Sequence, residues 1–301
     1  MNKVVVIGCG NVGMSYAFSL LNQKTSVNEL VLIDINEDKI IGEAMDLNHC
    51  LAFSPSKIDI RVGTYADCKN ARLIVIAAGA NQKPSETRMD LIKKNAKIFK
   101  TILDQVMASG FNGIFLVATN PLDIMTYLTY KYSGLPYNRV IGSGTSLDTA
   151  RLRYLLSEKA HVNPKNIHAY IIGEHGDSEF ALWSSSLIGS EKITDYLTSE
   201  EMNQVEDDVK NAAYQIINLK GATYYGIAMC LTRITNAILN NENTIITVSS
   251  YDKKNDLYIG MPTIINKNGA YRKMNVDLND RERERLENSI EIIKSAIKKV
   301  E

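Results

Sequence analysis

Apolar positions in the first half of the chain gather into short β-branched runs, and between the runs apolar and polar residues recur at helical spacing. The runs Lys3 to Ile7, Leu30 to Asp34, Ile58 to Gly63, Leu73 to Ala77 and Ile114 to Ala118 predict strands covered on both faces, as in a parallel sheet. The stretches Val12 to Asn22, Asp38 to Cys50, Thr87 to Ser109 and Pro121 to Tyr132 predict the covering helices. The last has Asn120 as N-cap and Pro121 at the first helical position. This alternation predicts an α/β fold with a doubly wound parallel sheet.

After Gly142 the texture changes. A helix from Leu147 to Lys159, a strand from Ile167 to Ile172 and two long helices on either side of Gly221 are followed by short strands around Thr244 to Val248 and Leu257 to Ile265. Residues 1–142 and 143–301 are therefore expected to form two intimate domains, the second of mixed α+β type. A closing helix carries Leu286, Ile290, Ile293 and Ile297 at spacings of three and four, a stripe expected in a core or interface.

The 301 residues, 45% of them apolar, suffice for a sizeable core and exclude disorder. With 34 basic and 34 acidic residues, no bulk charge favours nucleic acid or an anionic membrane, so a small-molecule partner is expected. The longest apolar run, Leu73 to Ala80, is too short to span a bilayer. The opening MNKVVVIGCG is unlike a secretory signal, and a cytoplasmic location is expected. Cys9, Cys50, Cys68 and Cys230 are scattered, with no C-x-x-C pair and no His at metal-ligand spacing, so reduced thiols are expected and no metal.

Directly after the first run stands Gly8-Cys9-Gly10-Asn11-Val12-Gly13, a G-x-G-x-x-G pattern opening a helix. Such a loop needs a tight turn at the first glycine, close backbone approach to a pyrophosphate at the second and helix-to-strand packing at the third. Asp34, at the end of the second strand, is placed to accept both ribose hydroxyls. Ile35 and not Arg follows it, so a 2′-phosphate would meet like charge, and NAD is expected over NADP. The plainer reading is a glycine turn of some other α/β protein. Cys9 in the loop is read as incidental, although an oxidised sulfur there would crowd the pyrophosphate.

A nicotinamide cofactor requires the protein to exchange a proton, place a substrate and exclude water. His175 lies in Gly173-Glu174-His175-Gly176-Asp177 after an apolar strand, where a turn exposes it to a cleft as a proton donor for a carbonyl oxygen; the alternative is a structural loop His. Asp148 and Arg151, three apart on one helix, share a face. Asp148 can hold the imidazole and Arg151 can grip a carboxylate, or the two can form an ordinary intrahelical ion pair. Arg153 points to another face. Gly79 to Arg88 is polar and turn-rich, and reads as a lid on which Arg88 can polarise a carbonyl and Gln82 can face the substrate side chain. Taken alone, those two side chains are solvated loop residues.

In order along the chain stand GCGNVG, AGANQKPSETR, VATNPLDI, GSGTSLDTARLR, IIGEHGDSE and KGATYYGIA. This ordered set resembles the L-lactate and malate dehydrogenase family over essentially the whole chain, and most of all its bacterial L-lactate members. The resemblance implies a Rossmann domain followed by an α+β substrate domain, NAD as cofactor, and reversible hydride transfer between NADH and pyruvate, giving (S)-lactate, in glycolysis or fermentation. It implies His175 as acid/base, Asp148 as its partner, Arg151 as carboxylate clamp and Arg88 as the carbonyl-polarising lid residue. It further implies that Asn120 and Ser143 help to place nicotinamide and substrate, and that Thr223 and Ile227 line their pocket. By the same resemblance, Val12, Lys39, Tyr65, Gly79 and Ala80 are expected to join Gly8, Gly10, Gly13 and Asp34 around the cofactor.

Malate dehydrogenases carry Arg where Gln82 stands. A neutral amide leaves the second carboxylate of oxaloacetate without a partner, at a cost of roughly 2–5 kcal/mol, so pyruvate and L-lactate are the expected substrates. Ser85 stands where the family usually has Gly, which is expected to stiffen or re-aim the lid. Arg153 and His168 match the pair with which bacterial lactate dehydrogenases bind fructose 1,6-bisphosphate across a subunit interface. This implies a homotetramer with an allosteric activator; the plainer reading is an interface Arg and a strand His without a ligand. Two rivals remain in view: a dehydrogenase of another 2-hydroxy acid, malate or bulkier, and a non-catalytic NAD-binding protein.

Overall fold

The computed structural model describes residues 2–80 and 88–300. Gln82 and Ser85 lie outside the described residues, and of Arg88 only its place at the start of a helix is described. The first half runs β1 (Lys3–Ile7), α1 (Asn11–Asn22), β2 (Glu29–Ile33), α2 (Glu37–His49), β3 (Asp59–Val62), β4 (Leu73–Ile76), α3 (Arg88–Ala108), β5 (Ile114–Val117), α4 (Leu122–Ser133) and β6 (Val140–Gly142). These strands pair in parallel in the order β6-β5-β4-β1-β2-β3. The order reverses between β1 and β4, and in such sheets ligands bind beyond the carboxyl ends of the strands at that switch point.

Alternation along β1 sends Val5 and Ile7 to one face and Val4 and Val6 to the other. The first face is covered by α3, α4 and a C-terminal helix, the second by α1, α2 and a helix of the second half, so each face has its own apolar core. The expected cover on both faces holds for β1, β2, β4 and β5 but not for β3. Its Asp59 and Val62 are exposed because β3 is the sheet's edge strand.

The second half continues with α5 (Ser146–Ala160), β7 (Ile167–His168), β8 (Ile171–Ile172), β9 (Phe180–Ala181), β10 (Leu187–Ile188), β11 (Glu191–Lys192), α6 (Ser199–Lys220), α7 (Tyr225–Leu239), β12 (Thr244–Asp252), β13 (Leu257–Asn266), β14 (Gly269–Lys273) and α8 (Asp280–Ile297). β12 pairs antiparallel with β6 through Ser249 opposite Gly142. The two halves thus share one sheet, of nine strands among the described residues, ordered β14-β13-β12-β6-β5-β4-β1-β2-β3. A third core of Leu152, Leu156, Ile167, Ile171 and Val205 lies between α5, α6 and the short strands. In α8, Ile293 and Ile297 are buried and Leu286 and Ile290 pack against the first core, so the stripe is core.

Three local expectations are corrected. The helix after Asn120 starts at Leu122; Pro121 takes the N-cap place with an extended ψ of 119°, and Asn120 lies outside the helix. The strand expected over Ile167 to Ile172 is two strands in different sheets, β7 against β10 and β8 against β9. At the break, the Ala169 carbonyl accepts from Arg153 Nε at 3.0 Å and the Tyr170 carbonyl from the Leu182 N–H at 2.9 Å, which takes these groups out of a continuous ladder. The short strands expected near the C-terminus are a hairpin of 9 and 10 residues, lengthened by pairing along the whole of both. Among the described residues no helix is long and apolar enough to cross a membrane.

Candidate active site

The glycine loop has the turn and the helix packing that its spacing predicts. Gly8 follows β1 with φ +94°, and a Cβ there would lie 2.3 Å from the Ala78 nitrogen. A Cβ on Gly13 would lie 2.1 Å from the Gly8 carbonyl oxygen, so α1 packs directly onto the turn. A Cβ on Gly10 would meet nothing within 4 Å. The loop backbone therefore faces open space at the N-terminus of α1, where unpaired N–H groups and the positive helix end favour a phosphate.

Asp34, just past β2, accepts the Cys9 N–H at 2.7 Å and the Asn36 N–H at 3.0 Å, so it braces the loop as well as offering its carboxylate. A cavity of about 670 Å³ opens beyond the strand ends. Gly8, Gly10, Asp34, Tyr65, Gly79 and Ala80 line it, with Ile98 and Ile102 of α3 as an apolar wall. An exposed loop backbone, one carboxylate and an apolar slot fit a dinucleotide. Val12, Gly13 and Lys39 are not part of this lining; Lys39 has Nζ 3.4 Å from the Cys9 carbonyl and 3.8 Å from Glu43. Burial, reinforced by Asp34, pushes the Cys9 thiol up to about 12, which keeps it protonated and slow to oxidise.

Asn95 of α3, buried and unremarked in the sequence reading, accepts the Ala80 N–H at 2.9 Å and donates to the Asn120 carbonyl at 2.9 Å. It ties the cofactor loop to the turn before α4. Ser143, also buried, follows β6 and donates its N–H to the Val117 carbonyl at 2.9 Å. Thr223 lies half-buried in the turn between α6 and α7, and Ile227 packs against the second core.

In the second half, α5 and the turn between β8 and β9 converge. His175 Nδ1 lies 2.8 Å from one oxygen of Asp148, and Arg151 Nη1 donates to the other at 2.8 Å. The intrahelical ion pair is therefore formed, and the same carboxylate also holds the imidazole. Its side chain is 2% exposed, and His175 is 24% exposed, enough to reach a substrate. Burial raises the Asp148 pKa, but the His175 and Arg151 charges overcome it and hold the carboxyl below its usual range. Burial likewise works against a charged His175. Asp148, by charge and hydrogen bond, outweighs it, and the imidazole is held at about 9. With Nδ1 engaged, Nε2 is the nitrogen left for a substrate.

Two buried carboxyls next to His175 escaped the sequence reading. Asp123 of α4 accepts the His175 N–H at 2.8 Å and the Ser249 hydroxyl from β12, and burial pushes it up to about 6 despite both bonds. Glu179 Oε2 lies 3.9 Å from His175 Nδ1; burial, then the Asp148 charge, raises its carboxyl well above the usual range. The available signal was an isolated carboxylate in the apolar helix LDIMTYL, which must find a partner inside. Elsewhere, Arg153 stacks over Tyr170 at 5.2 Å and bonds the Ala169 carbonyl, which brings it beside the strand carrying the exposed His168.

A model of the lactate/malate dehydrogenase NAD binding domain matches residues 2–142, and a model of the lactate/malate dehydrogenase alpha/beta C-terminal domain matches residues 145–301. The L-lactate dehydrogenase of Bacillus pumilus (strain SAFR-032) is 55% identical over 307 residues, which cover 99% of this chain and 97% of that protein. Among solved structures, a lactate dehydrogenase from a Medee basin deep-sea metagenome library superposes with a TM-score of 0.97 at 51% identity, over 99% of this chain and 98% of that one. The ligand-bound minor L-lactate dehydrogenase of Enterococcus mundtii does so with a TM-score of 0.97 at 45% identity, over 100% and 98%. A glycine loop built for a dinucleotide, a His–Asp pair beside an arginine and matches along the whole length agree: the chain belongs to the lactate/malate dehydrogenase family.

Proposed function

We propose that the chain is an NAD-dependent L-lactate dehydrogenase that interconverts pyruvate and (S)-lactate. The observation that carries this reading is the buried Asp148 carboxylate, which holds an imidazole and a guanidinium side by side at 2.8 Å each. When bound, the nicotinamide supplies the hydride in reduction and takes it in oxidation. Residues 1–142 hold it, through Gly8, Gly10, Val12, Gly13, Asp34, Lys39, Tyr65, Gly79 and Ala80; residues 143–301 carry the proton chemistry.

His175, protonated at neutral pH, gives a proton to the substrate C2 oxygen in reduction and takes it back in oxidation. Asp148 keeps Nδ1 protonated and compensates the imidazolium charge. Arg151 has N–H groups beyond the one spent on Asp148, and these grip the substrate carboxylate in parallel bonds. Arg88, at the start of α3, polarises the reacting carbonyl, and Gln82 faces the methyl of pyruvate. Asn120 and Ser143 position nicotinamide and substrate, and Thr223 and Ile227 close the pocket. A cytoplasmic location goes with this role.

Fructose 1,6-bisphosphate as activator and a homotetramer are part of the same reading. Supporting them, Arg153 lies half-buried beside the strand of exposed His168, and two cations from each of two subunits suit a bisphosphate. The test is NADH oxidation with pyruvate and oxaloacetate in parallel, each with and without the sugar bisphosphate, together with sedimentation. Fast turnover of pyruvate is expected, with a boost and a shift to tetramer on adding the bisphosphate. A preference for oxaloacetate overturns the substrate assignment, no turnover of either substrate overturns the activity, and unaltered rate and sedimentation remove the activator.

A further inference from the structure

Glu179 immediately precedes β9, is 3% exposed and is used by no step above. One carboxylate oxygen of Glu179, one of Asp148 and one ring nitrogen of His175 lie within 4.8 Å of one another. Both oxygens of Asp148 are already engaged, one by His175 and one by Arg151. The cationic charges that lower the Glu179 carboxyl are the same two, His175 and Arg151, that Asp148 uses. A second carboxylate in this dry space repels the first unless it carries a proton, and a protonated one becomes a donor to its neighbour.

We propose that Glu179 is a positioning residue for the acid/base step: a neutral carboxylic acid that turns its O–H to Asp148 and holds that carboxylate in line with His175 Nδ1. The inference rests on the assignment of His175 and Asp148 above. As a neutral group, Glu179 leaves the cluster with one carboxylate against one imidazolium and one guanidinium, and it limits how far Asp148 can swing towards Arg151. The groups around it are Asp148 and Arg151 of α5, Cys230 of α7 beside them, Asp123 of α4, His175 and Glu174 of the turn, and Arg285 of α8. The last bonds the Glu179 carbonyl at 3.5 Å. The opposite directions of the two carboxyls, Glu179 raised and Asp148 lowered, agree with one proton being held on the glutamate.

Two variants separate a neutral donor from a charge. In Glu179→Gln the side chain stays neutral and still donates, so the pH profile of kcat/KM for pyruvate reduction is expected to keep its alkaline limb, with near-normal turnover. Glu179→Leu removes the donor, so kcat is expected to fall roughly ten-fold or more, with the KM for pyruvate little changed. A limb displaced by about a pH unit or more in Glu179→Gln shows that the wild-type carboxyl is ionised and overturns the proposal. Glu179→Leu with normal kcat and limb overturns it as well. Should Glu179→Leu fail to fold, the infrared band of a protonated carboxyl decides: present in the wild type and lost in Glu179→Gln supports the proposal, absent in the wild type refutes it. His175→Asn is the control. If that variant retains activity, the acid/base assignment has failed, independently of anything at Glu179.

Discussion

Asp148→Asn removes the charge that faces His175 Nδ1 at 2.8 Å while nearly preserving shape. In the wild type, burial disfavours the imidazolium and Asp148 overcomes it, holding the pKa at about 9 against an ordinary 6.5. At ~1.4 kcal/mol per pH unit that difference is worth ~3 kcal/mol. Pyruvate reduction needs the imidazolium, so it persists below this pKa and fails as the pH rises through about 9; lactate oxidation needs the neutral ring and grows over the same range. In the variant burial remains and the main compensation is gone, so the reduction limb falls to 6.5 or below. At about pH 8 the protonated fraction then drops roughly thirty-fold. The assay is kcat/KM for pyruvate against pH in both proteins, with NADH affinity measured alongside to show that the cofactor site is intact. Stability carries the same sign. A raised folded-state pKa stabilises the fold fully below 6.5, and this contribution is lost as the pH rises from 6.5 to about 9, so the thermal midpoint of the wild type declines across that window more steeply than that of the variant. A reduction limb still near 9 in Asp148→Asn refutes the reasoning, because either another group is the acid or Asp148 does not set its pKa.

Three further outcomes follow from single residues. Gln82→Arg supplies a partner for a second carboxylate and is expected to raise the oxaloacetate-to-pyruvate ratio of kcat/KM roughly a hundred-fold or more; an unchanged ratio removes the specificity argument. Gly8→Ala forces a Cβ to 2.3 Å from a backbone nitrogen at φ +94°, so a loss of ~3 kcal/mol or more in urea unfolding is expected, together with weaker NADH binding. Wild-type stability in that variant contradicts the turn. Asp34→Ser takes away both the ribose acceptor and the charged brace on the Cys9 amide, so the KM for NADH should rise about ten-fold or more while that for NADPH suffers less. Equal losses for the two cofactors would show that Asp34 does not discriminate between them.

Much of the first half was legible because parallel strands buried on both faces leave an uninterrupted apolar trace, and β1, β2, β4 and β5 appear within a residue or so of the runs. The edge strand β3 shows the limit of that signal. A run such as Ile58 to Gly63 carries no mark of what lies outside it, and at the sheet edge its Asp59 and Val62 are left exposed. Ile167 to Ile172 reads as one strand from its residues, but its two ends pair with β10 and β9, and the carbonyls between them go to Arg153 and Leu182. The hairpin β12–β13 was underestimated because a strand grows for as long as its partner continues, and the partner lies beyond a turn.

The sequence by itself determined what depends on near neighbours: the three glycines and their spacing, Asp34 at the end of a strand, Asp148 and Arg151 on one helical face, and His175 on a turn. Backbone conformation and face periodicity are set over a few residues, so such features survive without a fold. Only the tertiary structure decided which carboxyl keeps its proton. Asp148 meets His175 across 27 positions of chain and Asp123 meets it across 52, while Glu179 is shut in beside both. Asp148, Asp123 and Glu179 are ordinary acids in the unfolded chain. Their differences arise from loss of water and from the charges that the fold brings within 4 Å, and both exist only once distant segments have packed together.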